Sequence, residues 1–129
     1  MENLNFLVVE SSLTSRKIIV NCLRKIGYMS IIEATDGKDA LGKMYTENIG
    51  CIITDWIMPS MDGLEFVRAV KKEISFKEIP ILMITTRGRK SDILAALKAG
   101  VDNYIIMPFT TEVLKEKIDA ILDKRRSKL

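Results

Sequence analysis

The chain of 129 residues contains no histidine. That absence excludes histidine-dependent acid–base catalysis, a Ser-His-Asp triad, imidazole metal ligands and any service as a phosphohistidine donor. Cysteine is scarce, with two residues. Cys22 falls in a helical pattern and Cys51 in a strand pattern, so both read as free thiols packed in a core, as in a reducing compartment. No apolar run approaches the length of a membrane span, and MENLNFLVVE at the N-terminus has no basic region ahead of its apolar stretch. A cytoplasmic protein without a membrane partner is expected. Aromatic residues are few, and none interleaves the basic tail Lys124-Arg125-Arg126-Ser127-Lys128. The tail reads as a solvated helix end, and nucleic acid is not an expected partner.

What is present is an ordinary globular composition, 47% hydrophobic and 29% charged, of a length that fits one domain spanning 1–129. The net charge of +3 is uneven. Residues 1–64 carry 6 Lys or Arg against 8 Asp or Glu, and residues 65–129 carry 14 against 9. Apolar runs and amphipathic segments alternate along the whole chain. Strands are expected at 4–9, 29–34, 49–54, 79–84 and 104–107, each short and rich in β-branched residues. Helices follow them, with Ser12, Asp36, Asp62, Ser91 and Thr110 as N-caps and Gly27 and Gly100 as terminators. The third helix is expected to run through Val67, Val70 and Ile74. Pro80 opens the fourth strand and Pro108 stops the fifth. The pattern is (βα)5, which predicts a doubly wound parallel sheet of five strands with helices on both sides.

The chain is organised around GCIITDWIMPSMDG at 50–63. A buried strand ends there at Asp55, and Pro59 and Gly63 break the backbone before the next helix. Open α/β sheets bind ligands beyond the carboxyl ends of their strands, where Glu10, Ser11, Asp55, Thr85, Thr86 and Met107 stand. Two converging carboxylates with loop carbonyls suit Mg²⁺, and a hydroxyl at Thr85 can donate to a phosphoryl oxygen.

The segments FLVVE at 6–10, TDWIMPSMDGLE at 54–65, ILMITTRG at 81–88 and NYIIMPFT at 103–110 carry a resemblance that spans the chain. It resembles a receiver domain of the two-component systems, most of all the CheY-type chemotaxis response regulators. The resemblance implies the flavodoxin-like strand order 2-1-3-4-5, of which CheY is itself a standard example, with strands one and three flanking the switch point. It implies phosphorelay signalling rather than enzymatic turnover, beyond Mg²⁺-assisted self-phosphorylation and dephosphorylation. Asp55 would be the phosphoacceptor, Thr85 the switch hydroxyl and Tyr104 the aromatic switch. Mg²⁺ would bind Glu10, Asp55 and the backbone carbonyl of Ile57. A histidine kinase would supply the phosphoryl group to a monomer. The face of the fourth helix, fifth strand and fifth helix would then meet an output partner, the flagellar motor switch being the implied one. The peptide bond before Pro108 would be cis.

Four positions depart from the family pattern. Ser11 replaces the second acid after the first strand, which weakens the expected Mg²⁺ site. Met107 replaces the lysine that normally pairs with the acceptor. Ile57 and Arg87 stand two residues beyond Asp55 and Thr85, where the family tunes the access of water to the phosphate. Arg87, with its planar fork, is the candidate to replace the lysine as a phosphate contact. The competing expectation is a degenerate, phosphorylation-independent interaction module. An aspartyl phosphohydrolase would need a second acid where Ile57 stands. A flavodoxin would have to hold the flavin phosphate in Ser11-Ser12-Leu13-Thr14-Ser15, a loop without glycine and next to the repelling Glu10.

Overall fold

The computed structural model describes residues 4–127, with side chains described as far as residue 124. Five strands and five helices alternate: β1 Asn5–Val9, α1 Leu13–Ile26, β2 Ser30–Ala34, α2 Gly37–Thr46, β3 Cys51–Thr54, α3 Gly63–Lys72, β4 Ile81–Thr85, α4 Lys90–Ala99, β5 Asn103–Ile106 and α5 Thr111–Ser127. The strands are parallel and lie in the order β2-β1-β3-β4-β5, as expected. Every residue of β3 and β4 is buried. Such strands lie under helices on both sides, which is why the sequence shows continuous apolar runs there and not alternation.

Each face of the sheet has its own core. On one side Leu7, Val9, Ile52 and Met83 pack against Ala40 and Met44 of α2, Phe66, Val67 and Val70 of α3, and Ala96 of α4. On the other, Phe6, Val8, Ile53 and Ile84 meet Ile19 and Leu23 of α1 and Leu114, Ile118 and Ile121 of α5. Adjacent residues of one strand thus serve opposite cores. Burying a side chain of this size contributes about 1.5–3 kcal/mol.

Four of the five expected caps are made. The side chains of Ser12, Asp36, Asp62 and Thr110 accept the backbone N–H of Ser15, Asp39, Glu65 and Val113 at 3.3, 2.8, 2.9 and 3.2 Å. Gly27 closes α1 with a φ of 120°, and its N–H donates to Leu23 and Arg24 carbonyls. Ser91 does not cap α4. The helix starts before it, at Lys90, because the Arg89 carbonyl accepts the N–H groups of Asp92 and Ile93. Asp92 in the first turn supplies the negative charge that a helix N-terminus favours.

The third helix is shorter than expected. Extended backbone at Glu73 ends α3, and the Glu73 carbonyl begins a separate turn by accepting from Phe76 and Lys77. Ile74 therefore lies outside the helix and is 83% exposed. β3 and β4 begin two residues later than the apolar runs do. Pro80 stands just ahead of β4, and its carbonyl accepts the N–H of Ile52. β5 ends at Ile106, so Met107 lies in the loop, and the Met107-Pro108 bond is cis. Cys22 and Cys51 are free thiols. Of the expected solvated tail, α5 continues to Ser127, and the rest lies outside the described residues.

Candidate functional site

Strand register sets the two carboxylates side by side. Val9 of β1 is paired with Thr54 of β3, and the next residue on each strand is Glu10 and Asp55. The Asp55 N–H donates to the Val9 carbonyl at 2.9 Å, and the Glu10 N–H to Ala34 at 3.0 Å. Glu10 is only 3% exposed, and its Oε2 accepts the Ser12 N–H at 3.0 Å. Burial raises its pKa above the usual carboxylate range, and the Asp55 carboxylate pushes it further, against the pull of the Ser12 N–H. Asp55 is half-buried, and its Oδ1 accepts the Trp56 N–H at 2.6 Å.

Among the described residues, no lysine or arginine forms an ion pair with Glu10 or Asp55. Arg16, the nearest cation along α1, donates instead to the Glu10 carbonyl at 2.8 Å and to Glu33 at 2.9 Å. Two adjacent acids without a counter-charge fit a divalent cation, which removes their repulsion. No cluster of three or more acidic or sulfur ligands exists among the described residues. Oxygen donors beyond this pair would have to come from carbonyls such as that of Ile57 and from water, a set suited to Mg²⁺. Ile57, two residues beyond Asp55, is 56% exposed.

Close backbone contact holds this loop. The Gly63 N–H donates to the Trp56 carbonyl at 2.8 Å, and a Cβ on Gly63 would lie 2.0 Å from the Asp55 carbonyl oxygen. Only glycine permits that approach. Ser60 turns the loop with a φ of 67°.

Thr85 ends β4 fully buried, and its Oγ1 accepts the Arg87 N–H at 3.4 Å. Tyr104 is 8% exposed, with its hydroxyl donating to the Arg87 carbonyl at 2.8 Å. Burial first, and then the Asp92 carboxylate, pushes the Tyr104 phenol up to about 12, with Arg87 pulling the other way. The structure directs the Arg87 side chain to Trp56 and Asp92 and away from Asp55. Its guanidinium carbon stands 4.3 Å from the centroid of the Trp56 ring, and Nη2 pairs with Asp92 Oδ1 at 3.1 Å. Met107 is partly buried and packs against the core under α1 and α5.

The structure thus brings Glu10 and Asp55 together, and Thr85, Arg87 and Tyr104 into one bonded group. Trp56 and Asp92 are the partners that sequence reasoning did not assign. The Asp-Trp dipeptide was visible, but an Arg–Asp pair five residues apart depends on how the loop closes. Beside this group, α4, β5 and α5 form a groove of about 450 Å³, lined by Ile93, Leu97, Tyr104, Ile106, Val113 and Lys117.

A parallel sheet of this order, with an aspartate and a second acid at the switch point and a buried threonine on the neighbouring strand, defines a receiver. The response regulator receiver domain model matches residues 6–119, and the chain belongs to that family. It is 48% identical over 120 residues to the chemotaxis protein CheY1 of Helicobacter pylori, covering 92% of this chain and 97% of that one. To the chemotaxis protein CheY homolog of Campylobacter jejuni it is 45% identical, covering 92% of each. The crystal structure of Vibrio cholerae chemotaxis protein CheY4 superposes with a TM-score of 0.86 at 31% identity, over 93% of this chain and 99% of that one.

Proposed function

We propose that this chain is a receiver that accepts a phosphoryl group on Asp55 from a histidine kinase and thereby alters its affinity for an output partner in chemotaxis. The observation that carries this reading is the adjacency of Glu10 and Asp55 at the strand ends, with no cation among the described residues ion-paired to them. Glu10, Asp55 and the Ile57 carbonyl would hold Mg²⁺, whose charge screens the acceptor and orients the donor. With Ser11 in place of a second strand-end acid, the site is weak.

An Asp55 carboxylate oxygen attacks phosphorus, the P–N bond to the kinase histidine breaks, and the displaced imidazole takes up a proton. The Trp56 N–H bond to Oδ1 leaves the other oxygen to react. Thr85, whose hydroxyl only meets a long 3.4 Å contact in this structure, then donates to a phosphoryl oxygen. Tyr104 carries the change to the groove between α4, β5 and α5, whose apolar lining suits a helical segment of the partner, the flagellar motor switch by the family's example. Apart from self-phosphorylation by small donors and loss of the phosphoryl group to water, no catalytic turnover is assigned. The protein works as a cytoplasmic monomer.

A second reading, an interaction module that needs no phosphate, is favoured by one observation: an apolar Met107, packed against the core, stands where the family has a phosphate-binding lysine. Treatment with acetyl phosphate and Mg²⁺ separates the two. Intact mass should rise by one phosphoryl group, mapped to Asp55 and absent in Asp55→Asn. Failure of transfer under every donor tried would leave the module reading.

A further inference from the structure

Four contacts converge on one residue that is neither acceptor nor metal ligand. The Arg87 N–H reaches the Thr85 hydroxyl at 3.4 Å, and the Arg87 carbonyl takes the Tyr104 hydroxyl at 2.8 Å. Its guanidinium lies 4.3 Å over the Trp56 ring and binds Asp92 at 3.1 Å. The backbone of this loop residue therefore joins the two switch side chains, while its side chain is tied to the β3–α3 loop on one flank and to the start of α4 on the other. Trp56 is buried and fixed by the Gly63 contact after β3, and Asp92 lies in the first turn of α4.

From this arrangement we infer that Arg87 is a positioning residue that holds Tyr104 in its inward rotamer through contacts that do not involve Asp55. A loop carbonyl can accept a hydrogen bond stably only if the loop is held still, because ordering a free segment costs conformational entropy. Between β4 and α4, Thr86, Arg87, Gly88 and Arg89 are all exposed. Among them, Arg87 is the residue whose side chain ties the loop to other elements. A guanidinium on an indole face combines cation attraction with planar stacking, a geometry that an ammonium matches only in part. The clamp also presents the indole directly after the acceptor, so that the setting of Tyr104 and the surroundings of Asp55 share one side chain. The inference adds to the proposed function a resting bias. Tyr104 is held inward before any phosphoryl group arrives, and phosphorylation acts on a switch already partly thrown. Its significance for signalling rests on that reading, whereas the clamp itself does not.

The test uses the full chain without phosphodonor or Mg²⁺, so that it stands whether or not Asp55 accepts phosphate. Ring ¹³C-labelled tyrosine reports the Tyr104 environment, and Trp56, the single tryptophan, reports the cation stacked on it by fluorescence. Wild type should show a mainly inward Tyr104 signal with a minor outward one. Arg87→Ala should lower the inward-to-outward ratio about tenfold and shift Trp56 emission, through loss of the stacked cation and its ion pair. Arg87→Lys should recover part of both signals, and Asp92→Asn should weaken the clamp without abolishing it. Wild-type chemical shifts elsewhere in Arg87→Ala would establish that it folds. A Tyr104 signal unchanged in a folded Arg87→Ala variant, or a Lys variant no better than Ala, would overturn the inference.

Discussion

Glu10 and Asp55 repel one another in a partly buried place, so the acids that equip the site also oppose folding. The pKa of Glu10 is raised in the folded state, so that state holds its proton to higher pH than the unfolded chain does. Stability from this residue is present at low pH and falls as pH rises from the ordinary glutamate value through the raised one. In Mg²⁺-free buffer at pH 7, Glu10→Gln should therefore raise the thermal midpoint. Adding Mg²⁺ should then stabilise the wild type and leave the variant unmoved, as read by calorimetry. A carboxylate added at exposed Ser11 should tighten Mg²⁺ binding about tenfold in Ser11→Asp, followed by Trp56 fluorescence. Met107→Lys tests the opposite exchange. It should raise the fraction of Asp55 phosphorylated at a fixed acetyl phosphate concentration, because a charge-assisted donor becomes available. It should also cost about 1–3 kcal/mol in urea unfolding, because the new ammonium is partly desolvated at a half-buried position against the core. At this scale the acids were legible from sequence, since register carries residues that follow paired strands into adjacency. The direction of Arg87 was not. Its resting place depends on an aromatic face and an acid brought in by loop closure, and neither leaves a periodic trace.

Helix ends were legible where a short polar side chain had to satisfy an orphan N–H, and opaque where backbone alone did so. Ser12, Asp36, Asp62 and Thr110 fall in the first class. The start of α4 falls in the second: Arg89 occupies the cap position and contributes no side-chain bond. Ala96 is the one fully buried residue of that helix among those described, so α4 is both poorly capped and lightly anchored. We expect its amides to exchange faster than those of α1 or α3 in native-state hydrogen exchange. Arg89→Asp should slow them by supplying the missing cap, with a gain of about 1 kcal/mol. The loop before α3 has the opposite character. Gly63→Ala would force a methyl group against the Asp55 carbonyl, and should destabilise the fold by about 2–4 kcal/mol while displacing Asp55. Loss of phosphorylation in that variant at temperatures where circular dichroism shows it folded would separate displacement from unfolding.

Across the whole molecule, the strand order followed from resemblance, and the parallel, two-sided sheet from the alternation of apolar runs with amphipathic segments. Neither could reveal that the switch group belongs to one side. Trp56 and Tyr104 lie in the core beneath α2, α3 and α4, whereas Met107 and Phe109 pack against the core beneath α1 and α5. The sheet between them is a bulkhead, and its central strands supply alternate side chains to compartments that do not touch. Rearrangement of the loop and ring on one side need not repack the other. A chimaera carrying the β4–α4 loop and α4 of a relative should thus take on that relative's partner preference while α1 and α5 keep their exchange rates. The chain can in this sense change whom it addresses without renegotiating how it stands.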